Sequence, residues 1–201
     1  MSTNTTSVWR KKLKELEIVV VIPTYNNGKT LAAVIEEVCR YADDIIVVND
    51  GSTDDTANIL EQYPAIRTIT HPVNKGKGTA LKHGLSQAKK EGFRYAITID
   101  SDGQHFASDI PCFIEAIEKE PDTLLVGARN LASDNMPGKN TFANKFSNFW
   151  FRLETGLKLE DTQSGYRLYP LRKMDVQSCW YTAKYEFELE AIVFAAWGDV
   201  A

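Results

Sequence analysis

The chain has 201 residues, of which 43% are hydrophobic and 25% are charged, and its formal net charge at pH 7 is −4. This length suits one well-buried domain, and the acidic balance gives no basic field for nucleic acid, so no nucleic-acid partner is expected. Three scattered cysteines without a C-x-x-C pair argue against a disulfide framework and against a zinc site.

The first residues and the hydropathy of the chain bear on location. Residues 1–17 lack the apolar run of a secretory leader, and no stretch reaches the roughly 18 apolar residues of a membrane span. We therefore expect a cytoplasmic chain that does not cross a bilayer, although it could lie against one. Residues 1–17 are interpreted as an N-terminal leader that need not be ordered, and residues 18–201 as a single domain.

Apolar strand-like runs alternate along the chain with segments whose apolar residues recur at helical spacing. Strands are predicted at 17–26, 44–50, 66–71, 94–100 and 122–130, and helices at 30–42, 52–64, 77–92, 108–120 and 185–198. This alternation predicts right-handed βαβ units, and so an α/β fold with a Rossmann-like, mostly parallel central sheet flanked by helices. Ligands of such sheets bind beyond the carboxyl ends of the strands, where the polar clusters of this sequence lie.

The stretch AITIDSDGQH ends a predicted strand with two carboxylates, Asp100 and Asp102, one residue apart. Unpaired carboxylates so close together repel each other, whereas a hard divalent cation with oxygen ligands removes the repulsion. Mg²⁺ or Mn²⁺ takes one or two protein carboxylates and leaves other positions for water and phosphate. The pair is interpreted as a site for Mg²⁺ or Mn²⁺, to which Gln104 could add a ligand. The alternative is an acidic turn in which Asp102 caps the chain locally.

Polar groups also follow the first two strands. In VVVIPTYNNGKT a Pro-Thr-Tyr turn can present backbone groups and the Tyr25 ring to a nucleobase. A P-loop is not expected, because Pro23 stands where that motif requires its first glycine. In VVNDGSTDDT, Asp50 can accept hydrogen bonds from a base imide or a ribose. The alternative is that Asp50 and Asp54 only cap the next helix.

The segment NKGKGTALKHG places Gly76 and Gly78 around Lys77, directly before a predicted helix. It lacks the third glycine and the following acidic residue of a dinucleotide-binding fingerprint. Its glycines nevertheless suit a close approach of the backbone to a nucleotide, with Lys75 or Lys77 beside it.

Six motifs taken together resemble a known family: VVIPTYNNGKTL, VVNDGSTDDT, NKGKGTALKHG, TIDSDGQH, GARN and DTQSGYRLYP. In this order they are similar to family 2 glycosyltransferases, and more narrowly to the dolichol-phosphate mannosyltransferase and polyprenyl-phosphate glycosyltransferase branch. The resemblance implies a GT-A fold, a GDP- or UDP-sugar donor, a DXD metal site and inversion at the anomeric carbon. It implies a polyprenyl phosphate acceptor, and a saccharide hydroxyl is the alternative.

Carried over by position, the resemblance distributes roles among residues. Binding of the nucleotide-sugar donor is assigned to Pro23, Thr24, Tyr25, Asn26, Asp50, Lys75, Gly76, Lys77, Gly78, Asp100 and Ser101. Binding of the metal ion and the diphosphate is assigned to Asp100, Asp102 and Gln104. Residues 18–130 would form the nucleotide-sugar-binding half, and residues 131–201 the acceptor-side half.

The acceptor decides whether the reaction needs a base. A hydroxyl needs a carboxylate within hydrogen-bond reach, and Asp161 is then the predicted base; its alternative role is to organise the turn that contains Ser164. A phosphate is already largely anionic near neutral pH and needs cations to hold it. Arg167 could hold it or could be a structural partner for an acid. Catalytic roles are thus predicted for Asp102, Arg129, Asp161 and Arg167, and acceptor contacts for Lys139 and Ser164.

The aromatic segment 141–157 bears on membrane contact. Its large apolar residues recur at three- and four-residue steps and so share one helical face, with Lys145 and Arg152 beside them. Such a face can lie in a lipid interface next to the phosphate of a polyprenol, and the alternative is that it packs on the sheet. Peripheral contact with the cytoplasmic face of a membrane is therefore an expectation.

Overall fold

The computed structural model describes residues 3–127, 164–174, 186–198 and 200. The helices are α1 (Thr3–Glu15), α2 (Gly28–Val38), α3 (Thr56–Glu61), α4 (Lys77–Lys90), α5 (Ile110–Lys119) and α6 (Glu186–Trp197). The strands are β1 (Ile18–Thr24), β2 (Ile45–Asn49), β3 (Arg67–Thr70), β4 (Tyr95–Thr98), β5 (Leu125–Val126) and β6 (Arg167–Pro170). None of the helices in these ranges is long and apolar enough to span a membrane.

The six strands form one sheet in the order β3-β2-β1-β4-β6-β5. Strand β1 pairs in parallel with β2 and β4, and β2 pairs in parallel with β3, whereas β6 is antiparallel to β4 and β5. The chain runs outward from β1 through β2 to β3 and then returns to the other side of β1 as β4. The strand order therefore reverses between β1 and β4, and this reversal opens a crevice at their carboxyl ends.

Helices cover both faces of the sheet, because the strands are apolar on both sides. Along β1, Ile18, Val20 and Ile22 belong to one buried cluster, and Val19 and Val21 belong to the other. The first cluster includes side chains from α1, α2, α3 and α5, and the second includes side chains from α4 and α6. Continuous burial of both strand faces is typical of parallel sheets between helical layers. The predicted α/β class is confirmed.

Residues 1–17, interpreted from the sequence as a leader that need not be ordered, contain helix α1. Leu13 of this helix is buried in the first core cluster, and Lys12 forms an ion pair of 2.7 Å with Glu118 on α5. Most other side chains of the segment are polar or charged, so hydrophobic periodicity alone does not indicate this helix. Its contact with α5 and β1 joins it to the domain.

Several element bounds differ from the predictions. The segment RLYP, which had no predicted strand, forms β6, and β5 is confined to Leu125–Val126 within the described part of 122–130. Helix α3 begins only at Thr56, because the residues before it form hydrogen bonds with the turn after β1. The Thr53 N–H donates to Oδ1 of Asn26 at 2.8 Å, and the Gly28 N–H donates to Oδ2 of Asp54 at 2.9 Å.

Candidate active site

A cleft of about 600 Å³ opens at the crevice between β1 and β4. The turns that follow β1, β2 and β4 and the beginning of α4 form its walls. Its lining residues are Pro23, Thr24, Tyr25, Asn27, Asp50, Asn74, Gly76, Lys77, Ala80, Asp100, Ser101 and Asp102. Cavities of about 300–1,000 Å³ are typical of sites for small molecules.

Most of the predicted donor and metal residues meet in this cleft, but four described ones do not line it: Asn26, Lys75, Gly78 and Gln104. Asn26 joins the β1–α2 turn to the β2–α3 turn, and the Lys75 and Gln104 side chains are exposed. Gly78 is buried inside α4. Sequence reasoning missed the lining residues Asn27, Asn74 and Ala80, although each lies inside a motif that it identified.

Asp50 forms the floor at one end of the cleft and is only 2% exposed. Its Oδ1 accepts the Lys75 N–H at 2.9 Å, and its Oδ2 accepts the Gly76 N–H at 2.8 Å. Oδ1 also lies 2.6 Å from Nδ1 of His71. Asp50 thus ties the turn before α4 to the end of β2. Asp54, by contrast, lies at the start of α3, where its Oδ1 accepts the N–H and the hydroxyl of Thr56.

Gly51 makes the close approach of this turn to β2 possible. Its φ is +71°, and a Cβ at this position would lie 2.4 Å from the carbonyl carbon of Val73 and 2.5 Å from the backbone nitrogen of Asn74. The backbone of the 73–76 turn therefore passes directly across Gly51. Any side chain here would displace the turn or strain the backbone, because L residues rarely adopt this φ.

Asp100 lies at the other end of the cleft in an ion pair with Lys77, whose Nζ is 2.7 Å from Oδ1 and 2.9 Å from Oδ2. The same Nζ is 3.1 Å from Oε1 of Glu188 on α6, and Nε2 of His105 is 3.6 Å from Oδ2 of Asp100. Burial raises the pKa of Asp100, but hydrogen bonds and charges from His105 and Lys77 outweigh it and lower the pKa to about 2. Burial lowers the pKa of Lys77, but Asp100 and Glu188 raise it above its usual value. Both groups are charged at neutral pH.

Gly165 brings the second half of the chain against this charged cluster. A Cβ on Gly165 would lie 2.5 Å from Oδ2 of Asp100, 2.9 Å from Oε1 of Glu188 and 2.9 Å from Nζ of Lys77. Its carbonyl oxygen accepts the Thr98 hydroxyl at 2.8 Å, which fixes it to β4. The backbone of the 164–166 turn therefore closes one wall of the cluster without leaving room for a side chain.

The structure corrects the predicted roles of Arg167 and Ser164. The Arg167 side chain is fully buried, at 0% exposure; its Nε donates to the Ser164 carbonyl at 2.7 Å, and its Nη1 donates to the Glu188 carbonyl. Ser164 is also buried, and its Oγ accepts the N–H of Tyr166 at 3.3 Å. These bonds tie the 164–166 turn to α6. Neither side chain lines the cleft, so structural roles replace the predicted contacts with the acceptor.

Three further predicted residues, Arg129, Lys139 and Asp161, lie outside the described residues, as does the aromatic segment 141–157. Their roles stay predictions. The sequence also missed Glu188 as a partner of Lys77 and His71 as a partner of Asp50. His71 carried a usable signal, because it directly follows β3 and is thus a polar residue at the carboxyl end of a parallel strand.

Two of the three carboxylates that line the cleft, Asp100 and Asp102, fit a divalent cation. Asp102 is exposed, and one of its oxygens accepts the Gln104 N–H at 2.9 Å, while Asp100 is ionised. Within the described ranges, no group of three or more His, Cys, Asp or Glu side chains could hold a metal ion. Two carboxylates beside an open cleft suit Mg²⁺ or Mn²⁺ with remaining ligands from water and phosphate, and not a closed protein site.

The cleft lies at the switch point of the sheet, which is where α/β enzymes bind their ligands. Residues 19–176 match the family model for glycosyl transferase family 2, and the chain belongs to this family. The resemblance seen in the motifs is thereby confirmed, and with it the glycosyltransferase class.

Two relatives and one solved structure place the chain more closely. A UDP-N-acetylglucosamine–dolichyl-phosphate N-acetylglucosaminyltransferase of Methanococcus voltae is 32% identical over 199 residues, covering 89% of this chain and 79% of the relative. A dolichyl-phosphate β-glucosyltransferase, ALG5D, of Trichomonas vaginalis is 28% identical, and the match covers 74% of this chain. This chain spans about half of the latter protein, at 52%.

The solved structure is glucosyl-3-phosphoglycerate synthase from Mycobacterium tuberculosis in complex with Mn²⁺, UDP-glucose and phosphoglyceric acid. It superimposes with a TM-score of 0.72 at 21% sequence identity, covering 97% of this chain and 69% of that one. This likeness confirms the predicted GT-A fold.

Proposed function

We propose that the chain is an inverting, metal-dependent glycosyltransferase that moves a sugar from a nucleotide diphosphate sugar to a polyprenyl phosphate of the dolichyl type. The observation that carries the proposal is the meeting of Asp50, Lys77, Asp100 and Asp102 in one cleft at the switch point of the sheet. The names of the relatives from Methanococcus voltae and Trichomonas vaginalis both specify dolichyl phosphate, which supports a lipid phosphate acceptor.

The nucleoside would occupy the Asp50 end of the cleft. Asp50 offers a carboxylate there, the turn that contains Asn74 and Gly76 lines the cleft, and the Tyr25 ring, 45% exposed, is available to stack on a base. Aromatic faces bind flat ring systems, and buried polar groups fix their orientation. The nucleoside is therefore held by groups from three separate turns.

The diphosphate would occupy the Asp100 end. Asp100 and Asp102 would hold Mg²⁺ or Mn²⁺, which supplies positive charge against the negative charge that develops on the departing nucleotide. Lys77 adds a second positive charge in the same place, and Glu188 and Gly165 confine its ammonium group. Inversion then requires the acceptor oxygen to attack the anomeric carbon from the side opposite the diphosphate.

A phosphate acceptor needs no catalytic base, because its second pKa of about 6 leaves it largely dianionic at neutral pH. Arg129 and Lys139 remain the predicted cations that hold it, whereas the buried Arg167 does not serve. A lipid acceptor would bring the chain to the cytoplasmic face of a membrane as a peripheral protein. Segment 141–157 is the predicted contact with that surface.

The test is transfer of radiolabelled sugar from UDP- and GDP-sugars to dolichyl or undecaprenyl phosphate in detergent, with Mn²⁺ or Mg²⁺, followed by butanol extraction. We expect labelled lipid with at least one donor, and its loss with EDTA or in Asp102→Asn. Asp43→Asn is the matched control, because Asp43 is an exposed carboxylate near the amino end of β2, away from the cleft. Label on an added glycan alone would favour a hydroxyl acceptor, for which Asp161 is the predicted base. The proposal would be contradicted if no donor gave either sugar transfer or donor hydrolysis.

A further inference from the structure

A chain of hydrogen bonds runs from the floor of the cleft to the protein surface. His71, directly after β3, is only 4% exposed, and its Nδ1 lies 2.6 Å from Oδ1 of Asp50. Its Nε2 lies 2.7 Å from Nδ1 of His83, an exposed residue of α4. The two imidazole rings meet edge to face, with centroids 4.7 Å apart. Asp50 directly follows β2, His71 directly follows β3, and His83 lies on α4.

The hydrogen bonds from Asp50 through His71 to His83 determine the tautomers of both histidines. A carboxylate offers only lone pairs, so Nδ1 of His71 must carry the proton that it donates to Asp50. Nε2 of a neutral His71 is then an acceptor, and His83 must donate to it through its own Nδ1. Burial is the largest cause that lowers the pKa of His83, and the positive charges of Lys75 and Lys90 act in the same direction against the opposing charge of Asp50. His83 is therefore neutral at pH 7.

We propose that His71, with His83 behind it, is a positioning residue for nucleotide binding: it fixes the Asp50 carboxylate and, through it, the Lys75–Gly76 turn at the nucleoside end of the cleft. This inference rests on the proposed use of the cleft by a nucleotide-sugar donor. Oδ1 of Asp50 bonds to His71 and to the Lys75 N–H, whereas Oδ2 accepts the Gly76 N–H. Holding Oδ1 by two partners leaves a lone-pair direction of Oδ2 for an N–H or O–H of the nucleoside.

Two substitutions of His71 separate this role from simple space filling. Asparagine can place its amide nitrogen near the position of Nδ1, where it donates to Asp50, and glutamine can place its amide oxygen near the position of Nε2, where it accepts from His83. His71→Asn therefore keeps the bond to Asp50 and loses the one to His83, and His71→Gln does the reverse. Both side chains are polar and smaller than or similar to imidazole, so each variant is the matched control of the other.

The experiment is calorimetric titration of UDP and of GDP, each with Mn²⁺, into the wild type and the two variants. We expect His71→Asn to bind the preferred nucleotide within about threefold of the wild type, and His71→Gln about tenfold or more weaker, because one charge-assisted hydrogen bond is lost. In donor kinetics KM should rise in His71→Gln with little change in kcat. Nitrogen NMR of the wild type should show His71 protonated on Nδ1.

Equal affinity of the two folded variants, or a wild-type His71 protonated only on Nε2, would overturn the inference while leaving the proposed function in place. Absence of nucleotide binding by the wild type would overturn both. Should His71→Gln fail to fold, the nucleotide affinity of His83→Ala tests the inference instead. Gln87→Ala, one turn further along α4, is its control. We expect about threefold weaker binding in His83→Ala alone, and equal binding by these two variants would again overturn the inference.

Discussion

The two ends of the cleft hold their aspartates in different ways. Asp50 is bound by two backbone N–H groups and a buried imidazole, none of which can leave without moving a turn or a strand end. Asp100 is bound by the ammonium group at the tip of a lysine side chain, which it shares with Glu188. Backbone partners fix a group permanently, whereas a flexible side chain can exchange one anion for another. If the donor binds as proposed, the Asp50 end would recognise the nucleoside, and the Asp100 end would hold groups whose charge changes during the reaction.

Asp100→Asn should have the largest effect on turnover, since it removes a charge at the end of the cleft where Asp100 pairs with Lys77. We expect turnover to fall by about 10²–10³-fold, the loss that follows removal of one preorganised electrostatic group from an active site. The free energy of unfolding should change far less, because Lys77 keeps Glu188 as a partner. Initial rates at saturating donor and urea unfolding measure the two quantities. Turnover within threefold of the wild type would remove Asp100 from the reaction.

Paired alanine substitutions of two glycines sharpen the comparison. Gly51→Ala meets backbone atoms at 2.4 Å with a φ of +71°, and we expect it to lower the free energy of unfolding by about 1–3 kcal/mol. Gly165→Ala meets mainly the ends of the Asp100, Glu188 and Lys77 side chains, which can turn aside. It should therefore spare stability and weaken Mn²⁺-dependent nucleotide binding.

A third glycine supplies the control for backbone strain alone. Gly92 has a φ of +90° with nothing within 4 Å of a Cβ, so Gly92→Ala should lower stability and leave nucleotide binding unchanged. If Gly165→Ala proved as destabilising as Gly51→Ala, the distinction between a fixed and an adaptable end would be wrong.

The smallest effect concerns pH. The pKa of His83 is lowered in the folded state from its ordinary 6.5, so the unfolded chain binds more protons below that pH. Linkage then makes stability fall as the pH drops through about 6.5, until the lowered pKa is passed. His83→Gln removes this contribution, and its stability should fall less than that of the wild type between about pH 7.5 and 5. Parallel stability curves from urea titrations would contradict the assignment.

Much of the donor side of the molecule could be predicted from the sequence. Strands such as β1 and β2 are unbroken apolar runs that end at polar turns, and their carboxyl ends meet at one edge by the geometry of parallel sheets. For this reason the order of strands and polar turns along the chain is sufficient to predict that Asp50, Asp100 and Asp102 share one site.

The other features of the site depend on contacts between distant parts of the chain, which no local sequence pattern indicates. Arg167 looks like a substrate cation in the sequence, yet its side chain is buried and donates to two backbone carbonyls. Glu188 reaches Lys77 only because α6 packs beside α4. Strand β6 is four residues long and contains both an arginine and a proline, so neither periodicity nor strand propensity indicates it.

The late position of β6 has a consequence for how the protein is made. Thr98 of β4 contacts Arg167 of β6, which lies 69 positions further along the chain. Until the ribosome has released that second segment, β4 is an unpaired edge whose backbone amides can recruit another nascent chain. The pairing also encloses a long loop, which slows its formation. During biosynthesis this edge of β4 therefore stays exposed until the residues of β6 have been made.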